Sequence, residues 1–227
     1  MPKTFVLSVG GSLISSKEGI NLRFLKEFHQ FILKQVKLGH KFYLIVGGGI
    51  TARTYIKAAL ATTTVSSYDR DLVGIKATRL NAELLKVIFG KYAYSEIITD
   101  PTKAVKTNKS IIFAGGFKPG WSTDYVAVLA AINNKIETVI NLSNIDYVYD
   151  HDPRKFPNAK ILKTVSWLDF RKIVGNKWQP GSNVPFDPIA SRAAAKHKMK
   201  VVILNGKKLK NLEKCLANKK FIGTIVN

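Results

Sequence analysis

Gly115-Gly116-Phe117-Lys118-Pro119-Gly120-Trp121-Ser122-Thr123-Asp124 follows the apolar run Ser110-Ile111-Ile112-Phe113-Ala114 and leads into Tyr125-Val126-Ala127-Val128-Leu129-Ala130-Ala131. The order reads as strand, glycine-rich loop and helix. Glycines let backbone N–H groups approach an anion closely, and Ser122 or Thr123 can cap a helix whose free N–H groups and dipole favour negative charge. The stretch is therefore expected to be a phosphate-binding turn.

The same order occurs twice upstream. Thr4 to Val9 is mostly apolar, as a strand buried on both faces should be, and ends at Gly10-Gly11-Ser12. Lys41 to Val46 is a second such strand. It runs into Gly47-Gly48-Gly49-Ile50-Thr51-Ala52-Arg53, after which Tyr55 to Leu60 reads helical. A glycine pair after a strand is usually only a tight turn. Three clusters, each ending a buried strand, would converge at the carboxyl edge of an open α/β sheet, where ligands bind. None fits G-x-x-x-x-G-K-[ST] or G-x-G-x-x-G, so a phosphate site of another kind is implied.

Asn21 caps a helix with Leu22, Leu25, Phe28, Ile32 and Val36 on one face, stopped by Gly39. A long helix runs from about Arg70 to Phe89, with Leu72, Ile75, Leu80, Leu84, Leu85 and Ile88 apolar and Gly90 just beyond it. Asp69, Arg70 and Asp71 are unusually polar for its start. Glu96 to Thr99 reads as a strand, Pro101 as the opening of a short helix or turn, and Glu137 to Leu142 as a strand. Alternating β and α to about residue 142 predicts a parallel sheet with helices on both faces.

Beyond that point the chain changes character at Ser143-Asn144-Ile145-Asp146-Tyr147-Val148-Tyr149-Asp150-His151-Asp152-Pro153. Lys160 to Val165 is a strand, and Ser166 to Asp169 carries a Ser-x-x-Asp cap. Asn176 to Pro185 is a loop. Asp187-Pro188 starts a helix, Lys200 to Leu204 is a strand, Asn205-Gly206 a turn, Leu209 to Ala217 a helix, and Gly223 to Val226 a closing strand. There is no repeat or low-complexity linker. A single domain over 1–227 is expected, with any seam near residue 142.

The 227 residues, 46% of them hydrophobic, can bury a full core. Cys215 is the only cysteine, which excludes an internal disulfide framework, suits a reducing compartment and is read as a small buried hydrophobe. Met1 to Leu7 is apolar too briefly for a signal peptide or membrane span, so a cytoplasmic location is expected. The net charge is +21, and from Arg192 to Lys220 ten Lys or Arg face one acid, Glu213. They are spread over several elements, without an aromatic RNA motif or recognition-helix pattern. The charge is read as a solvated basic surface that also draws in anionic substrates, nucleic-acid binding being the alternative.

Asp146, Asp150 and Asp152 lack the glycine and terminal Glu of a calcium loop, and Asx turns explain them as well. His29, His40, His151 and His197 show no paired metal-ligand spacing. No protein metal ligands are assigned. Trp121 has two readings, a ring that stacks on a base or a loop anchor in the core.

In combination, Val9-Gly10-Gly11-Ser12, Gly47 to Arg53, Asp71-Leu72-Val73-Gly74-Ile75, Gly115-Gly116 through Thr123-Asp124, and Asn144 through Pro153 resemble the amino acid kinase superfamily, specifically archaeal-type UMP kinases. The motifs occur in that family's order over essentially the whole chain. The resemblance implies a three-layer α-β-α sandwich with a mainly parallel sheet, an acceptor-binding part over about 1–142 and an ATP-binding part over about 143–227. It implies Mg²⁺-assisted transfer of the ATP γ-phosphoryl to UMP, as a homo-oligomer, a hexamer. Carried over by position, Gly48, Asp71, Phe117, Lys118, Pro119, Gly120, Trp121, Ser122 and Thr123 would hold UMP, Asp71 through the ribose hydroxyls. Gly11, Ser12, Gly49 and Arg53 would line the ATP phosphates, while Ser143, Asn144, Tyr149 and Asp152 would hold its nucleoside end.

Three positions depart from the pattern. Ser8 stands where many superfamily members have a lysine, so transition-state charge falls to Arg53, Mg²⁺, loop amides and Lys118. Tyr147 replaces a glycine and must avoid left-handed φ or accept strain. Arg192 stands where relatives often have lysine. The alternatives are a kinase for isopentenyl phosphate or an acylated amino acid, and a non-catalytic nucleotide- or nucleic-acid-binding protein. Arg53 without a nearby histidine counts against isopentenyl phosphate.

Overall fold

The computed structural model describes residues 1–177 and 184–227. In chain order the elements are β1 Thr4–Val9, α1 Gly11–Ile14, β2 Ser15–Ser16, β3 Gly19–Ile20, α2 Leu22–Lys37, β4 Lys41–Val46, α3 Gly49–Thr62, α4 Ser67–Phe89 and β5 Ile111–Ala114. There follow α5 Thr123–Asn133, β6 Thr138–Ser143, β7 Val148–Tyr149, β8 Ile161–Leu162, β9 Thr164–Val165, α6 Trp167–Val174, α7 Pro188–Lys196, β10 Lys200–Asn205, α8 Leu209–Leu216 and β11 Thr224–Val226. Seven strands form one sheet in the order β5-β4-β1-β6-β10-β11-β9. The pairs β5–β4, β4–β1, β1–β6 and β6–β10 are parallel, and β11 runs antiparallel to β10.

Successive strand side chains point to opposite faces, and each face is apolar. Leu7, Val9, Phe42 and Leu44 join α2, α4 and α8 in one core, while Val6, Ile45, Val139 and Val201 join α5, α6 and α7 in the other. Three layers result, as the alternation of β and α predicts. Fully burying one such Leu or Phe contributes about 1.5–3 kcal/mol, so the double-faced sheet holds the strand ends, and the loops leaving them, in fixed register.

Local signals place most boundaries. The Asn21 side chain accepts from the Phe24 amide, and Ser166 caps α6 by accepting from Asp169 N. Leu22, expected on the buried face of α2, is exposed, and Phe24 and Phe31 take its place. The helix expected at Tyr55 begins at Gly49, and α4 begins at Ser67, where Ser66 repeats the Ser-x-x-Asp cap with Asp69. Glu96 to Thr99 forms no strand: only Ile98 bridges to Ala114. Lys160 to Val165 divides between β8, paired with β7, and β9, paired with β11. Part of the loop read at Asn176 to Pro185 lies outside the described residues. Tyr147 is not among the described non-glycine residues with positive φ, so its replacement of glycine carries no left-handed strain.

Candidate active site

The carboxyl ends of β1, β4 and β5 release the three glycine loops side by side. Gly47 N donates to Val9 O at 2.9 Å, and a Cβ on Gly11 would lie 2.2 Å from Gly49 N. Gly49 itself has φ +57°, and a Cβ there would meet Gly11 backbone at 2.3 Å. The first two loops thus interlock backbone to backbone, which no side chain permits.

Helix α4 fastens the loops from one side. The Asn81 Nδ2 donates to Gly47 O at 2.9 Å and Gly48 O at 3.1 Å. Thr78 Oγ1 accepts from Gly116 N at 2.6 Å and donates to Ile75 O, while the Arg79 guanidinium donates to the carbonyls of Gly116 and Phe117. Asp71 Oδ2 accepts from Gly120 N at 2.7 Å. Gly115 N donates to Ile98 O. The amides of Gly115, Gly116 and Gly120 are therefore already occupied, which corrects the expectation that these glycines cradle an anion. They shape the loop, and the helix starts beside it carry the free donors. Ser122 is the cap of α5, accepting from Tyr125 N, and Thr123 is its first residue. The first amides of α3 and α5 lack intrahelical acceptors, and such ends favour anions.

A cavity of about 490 Å³ opens between α3, α4 and the start of α5. Of the residues expected at a site, Gly48, Gly49, Arg53, Asp71, Trp121, Ser122 and Thr123 line it. Gly11 touches Gly49 from behind, with Ser12 next in the chain. Phe117 to Gly120 flank the wall. Lys118 Nζ lies 4.3 Å from the Trp121 ring centroid, held there by cation–π attraction, and Trp121 packs on Phe117 and Tyr125. Trp121 is thus both a loop anchor and a cavity wall. Ser143, Asn144, Tyr149 and Asp152 do not line this cavity. Ser143 ends β6, Tyr149 pairs with Ile161, and Asp152 binds the Arg154 guanidinium at 2.9 and 3.0 Å. Arg192 is exposed on α7 and is not part of the cavity wall.

The cavity also contains charges that the sequence reading left without a role. Lys57 and Arg70 join Arg53, and Asp124 and Asp187 join Asp71. Ser8, in the position of the missing lysine, donates to Asp124 Oδ1 at 2.9 Å; Asn141 and the Asp187 amide also reach Asp124. Burial first, then the neighbouring Asp187 charge, push the Asp124 carboxyl up to about 6, against the Ser8 bond. Burial likewise raises Asp187. Its Oδ1 caps α7 by accepting from Ala190 N at 2.7 Å, and its Oδ2 is buried without a hydrogen-bond partner. The Asp-Pro helix signal accounted for only one of these oxygens. The Ser122 hydroxyl acts on the same carboxyl and offsets part of the cost of burying it.

The Amino acid kinase family model matches residues 3–205. The chain belongs to the amino acid kinase family. Curated relatives within it include a uridylate kinase from Methanococcus aeolicus, 33% identical over 98% of each chain, and one from Pyrococcus abyssi, 35% identical over 89% of this chain and 90% of that one. The crystal structure of uridylate kinase from Archaeoglobus fulgidus superimposes with a TM-score of 0.81 at 31% identity, covering 98% of this chain and 99% of that one. A UMP kinase from Bacillus anthracis, 18% identical, shares the fold with a TM-score of 0.78.

Proposed function

We propose that the chain transfers the γ-phosphoryl group of ATP to UMP, giving UDP and ADP. The observation that carries this reading is the meeting of two helix N-termini, Arg53 and Asp71 in one cavity at the carboxyl edge of the sheet. A phosphoryl-transfer site needs two anions held in line and their charge offset. Gly48, Asp71 and Phe117 to Thr123 hold UMP, Asp71 serving the ribose with its remaining oxygen. Gly11, Ser12, Gly49 and Arg53 bind the ATP phosphates, and Ser143, Asn144, Tyr149 and Asp152 the nucleoside end. An oxygen of the UMP phosphate attacks the γ-phosphorus as the bond to the β-phosphate oxygen breaks. That oxygen is already anionic, so no general base is required.

Arg53 supplies fixed positive charge to the transferring group, with Lys118 poised above Trp121 as a second cation. Asp187 and Asp124, both lining the cavity, would hold a Mg²⁺ ion brought with ATP, which would supply charge to offset the phosphates. The assembly is a homo-oligomer, a hexamer, for which exposed Tyr68, Leu80 and Val87 on α4 offer apolar contact surface. No described helix is long and apolar enough to cross a membrane.

An ADP-coupled assay with UMP, CMP, isopentenyl phosphate and N-acetylglutamate as acceptors tests the reading. Turnover with UMP is expected. Turnover confined to another acceptor, or none at all, overturns it.

A further inference from the structure

A second concavity of about 1440 Å³ shares no lining residue with the first. Its upper end lies where the parallel strands begin, at the edge opposite the glycine loops. Lys3 precedes β1, Lys135 sits in the turn before β6, and Lys200 opens β10. Helix α8 and the segment after it form the other wall, with Lys214, Lys219 and Lys220. Asn211 fixes that wall through two bonds to the Ile222 backbone, at 2.7 and 2.8 Å. In all, nine exposed lysines line the groove against one carboxylate, Glu137. Among the described residues only Lys208 of these nine has a carboxylate partner, Asp146 at 2.6 Å. The floor is apolar, from Phe5, Ile140, Val202 and Ile225, with Phe221 and Tyr147 along the sides.

Lysines that looked dispersed in sequence are thus gathered by the fold into one hollow. Charges of one sign along low-dielectric walls focus their field there. The volume exceeds the roughly 300–1,000 Å³ of small-ligand pockets, which favours a polymer. A planar bilayer cannot enter a hollow, and membrane-surface binders present an outward apolar face instead. Rings and aliphatic floor between rows of cations match the way single strands are held, bases against apolar or aromatic surface and phosphates against lysine.

We propose that this groove binds single-stranded nucleic acid through its phosphate backbone, independently of the cavity at the opposite sheet edge. The test is fluorescence anisotropy of the full chain with a labelled 12-nucleotide single-stranded RNA of mixed sequence, between 50 and 200 mM salt. Three or more phosphates engaged give a slope of log K against log salt of about −2 or steeper, at about 0.7 per phosphate. The groove variant Lys200→Glu/Lys214→Glu/Lys219→Glu is expected to lose at least about tenfold in affinity and to flatten the slope by about 2. The variant Lys91→Glu/Lys106→Glu/Lys155→Glu, with the same charge change on exposed lysines outside the groove, is expected to stay within about threefold of the parent. Circular dichroism and unchanged UMP turnover of the groove variant report its folding. Equal losses in both variants, or no RNA binding at 50 mM salt, overturn the proposal. So does binding to phosphatidylserine vesicles that RNA does not displace.

Discussion

The two concavities of this molecule handle charge in opposite ways. The 490 Å³ cavity places few cations, Arg53, Lys57 and Arg70, beside three carboxylates and two helix starts, on glycine loops that interlock backbone to backbone at Gly11 and Gly49. The 1440 Å³ groove has three times as many cations, all exposed and mostly unpaired, on long flexible stems. The first depends on position and the second on number. Single changes should therefore be severe at the carboxyl edge of the sheet and mild at the other.

The largest effect is expected from Gly11→Ala. Its Cβ would collide with Gly49 N at 2.2 Å and Gly47 O at 2.6 Å, so the interlocked loops must separate. Loss of at least about 2 kcal/mol of stability and more than about a hundredfold of turnover is expected, read by chemical denaturation and steady-state kinetics. Near-normal values would break the contrast at its strongest point.

Asp71→Ala comes next. It releases Gly120 N and removes the proposed ribose contact together. The KM for UMP should rise at least about tenfold while that for ATP moves less than about threefold. Equal changes in both would mean that Asp71 only supports the fold.

Asp124→Asn has an effect whose sign depends on pH. The folded chain holds this proton up to about 6, against 3.8 for the ordinary carboxyl. A raised carboxyl favours folding most below the unfolded value, and that contribution is lost as pH rises from about 4 to 6. The variant, which never carries the charge, should be more stable than the parent by about 1–3 kcal/mol at pH 7.5 and nearly equal to it at pH 4, discounted for partial solvent contact. Urea unfolding at the two pH values checks this. A parent as stable as the variant at pH 7.5 would show that Asp124 carries no penalty.

The smallest effect belongs to the groove. Lys214→Ala should reduce the salt slope of RNA binding by about 0.7 and leave UMP turnover within about twofold. A loss of tenfold or more in turnover would join the two concavities that the comparison separates.

The fold was legible because its signals are local. Apolar runs ending in glycine gave β1, β4 and β5, and Asn21, Ser166 and Asp187-Pro188 marked helix starts by caps that the structure retains. What was not legible depends on partners far along the chain. Ile98 bridges one residue of β5 and goes no further. Lys160 to Val165 is split because β7 and β11 claim different halves of it. The roles of Thr78, Arg79 and Asn81 in bonding loop backbone across more than 30 residues had no sequence signal beyond polar residues on an apolar helix. Asp124 and Asp187, 63 residues apart, meet only once α5 and α7 are packed. The Ser66 cap could have been found, since it repeats the pattern recognised at Ser166.

Phosphoryl transfer to UMP is proposed to take place in the cavity beside Arg53. Its most direct test is the initial rate of UDP formation from UMP and MgATP, followed by ³¹P NMR for the parent chain, Arg53→Ala and the triple groove variant. The parent and the groove variant should form UDP at equal rates, and Arg53→Ala should lose at least about tenfold in kcat/KM, about 1.4 kcal/mol of transition-state stabilisation. Unchanged kinetics in Arg53→Ala, or a parent that forms no UDP, would contradict it.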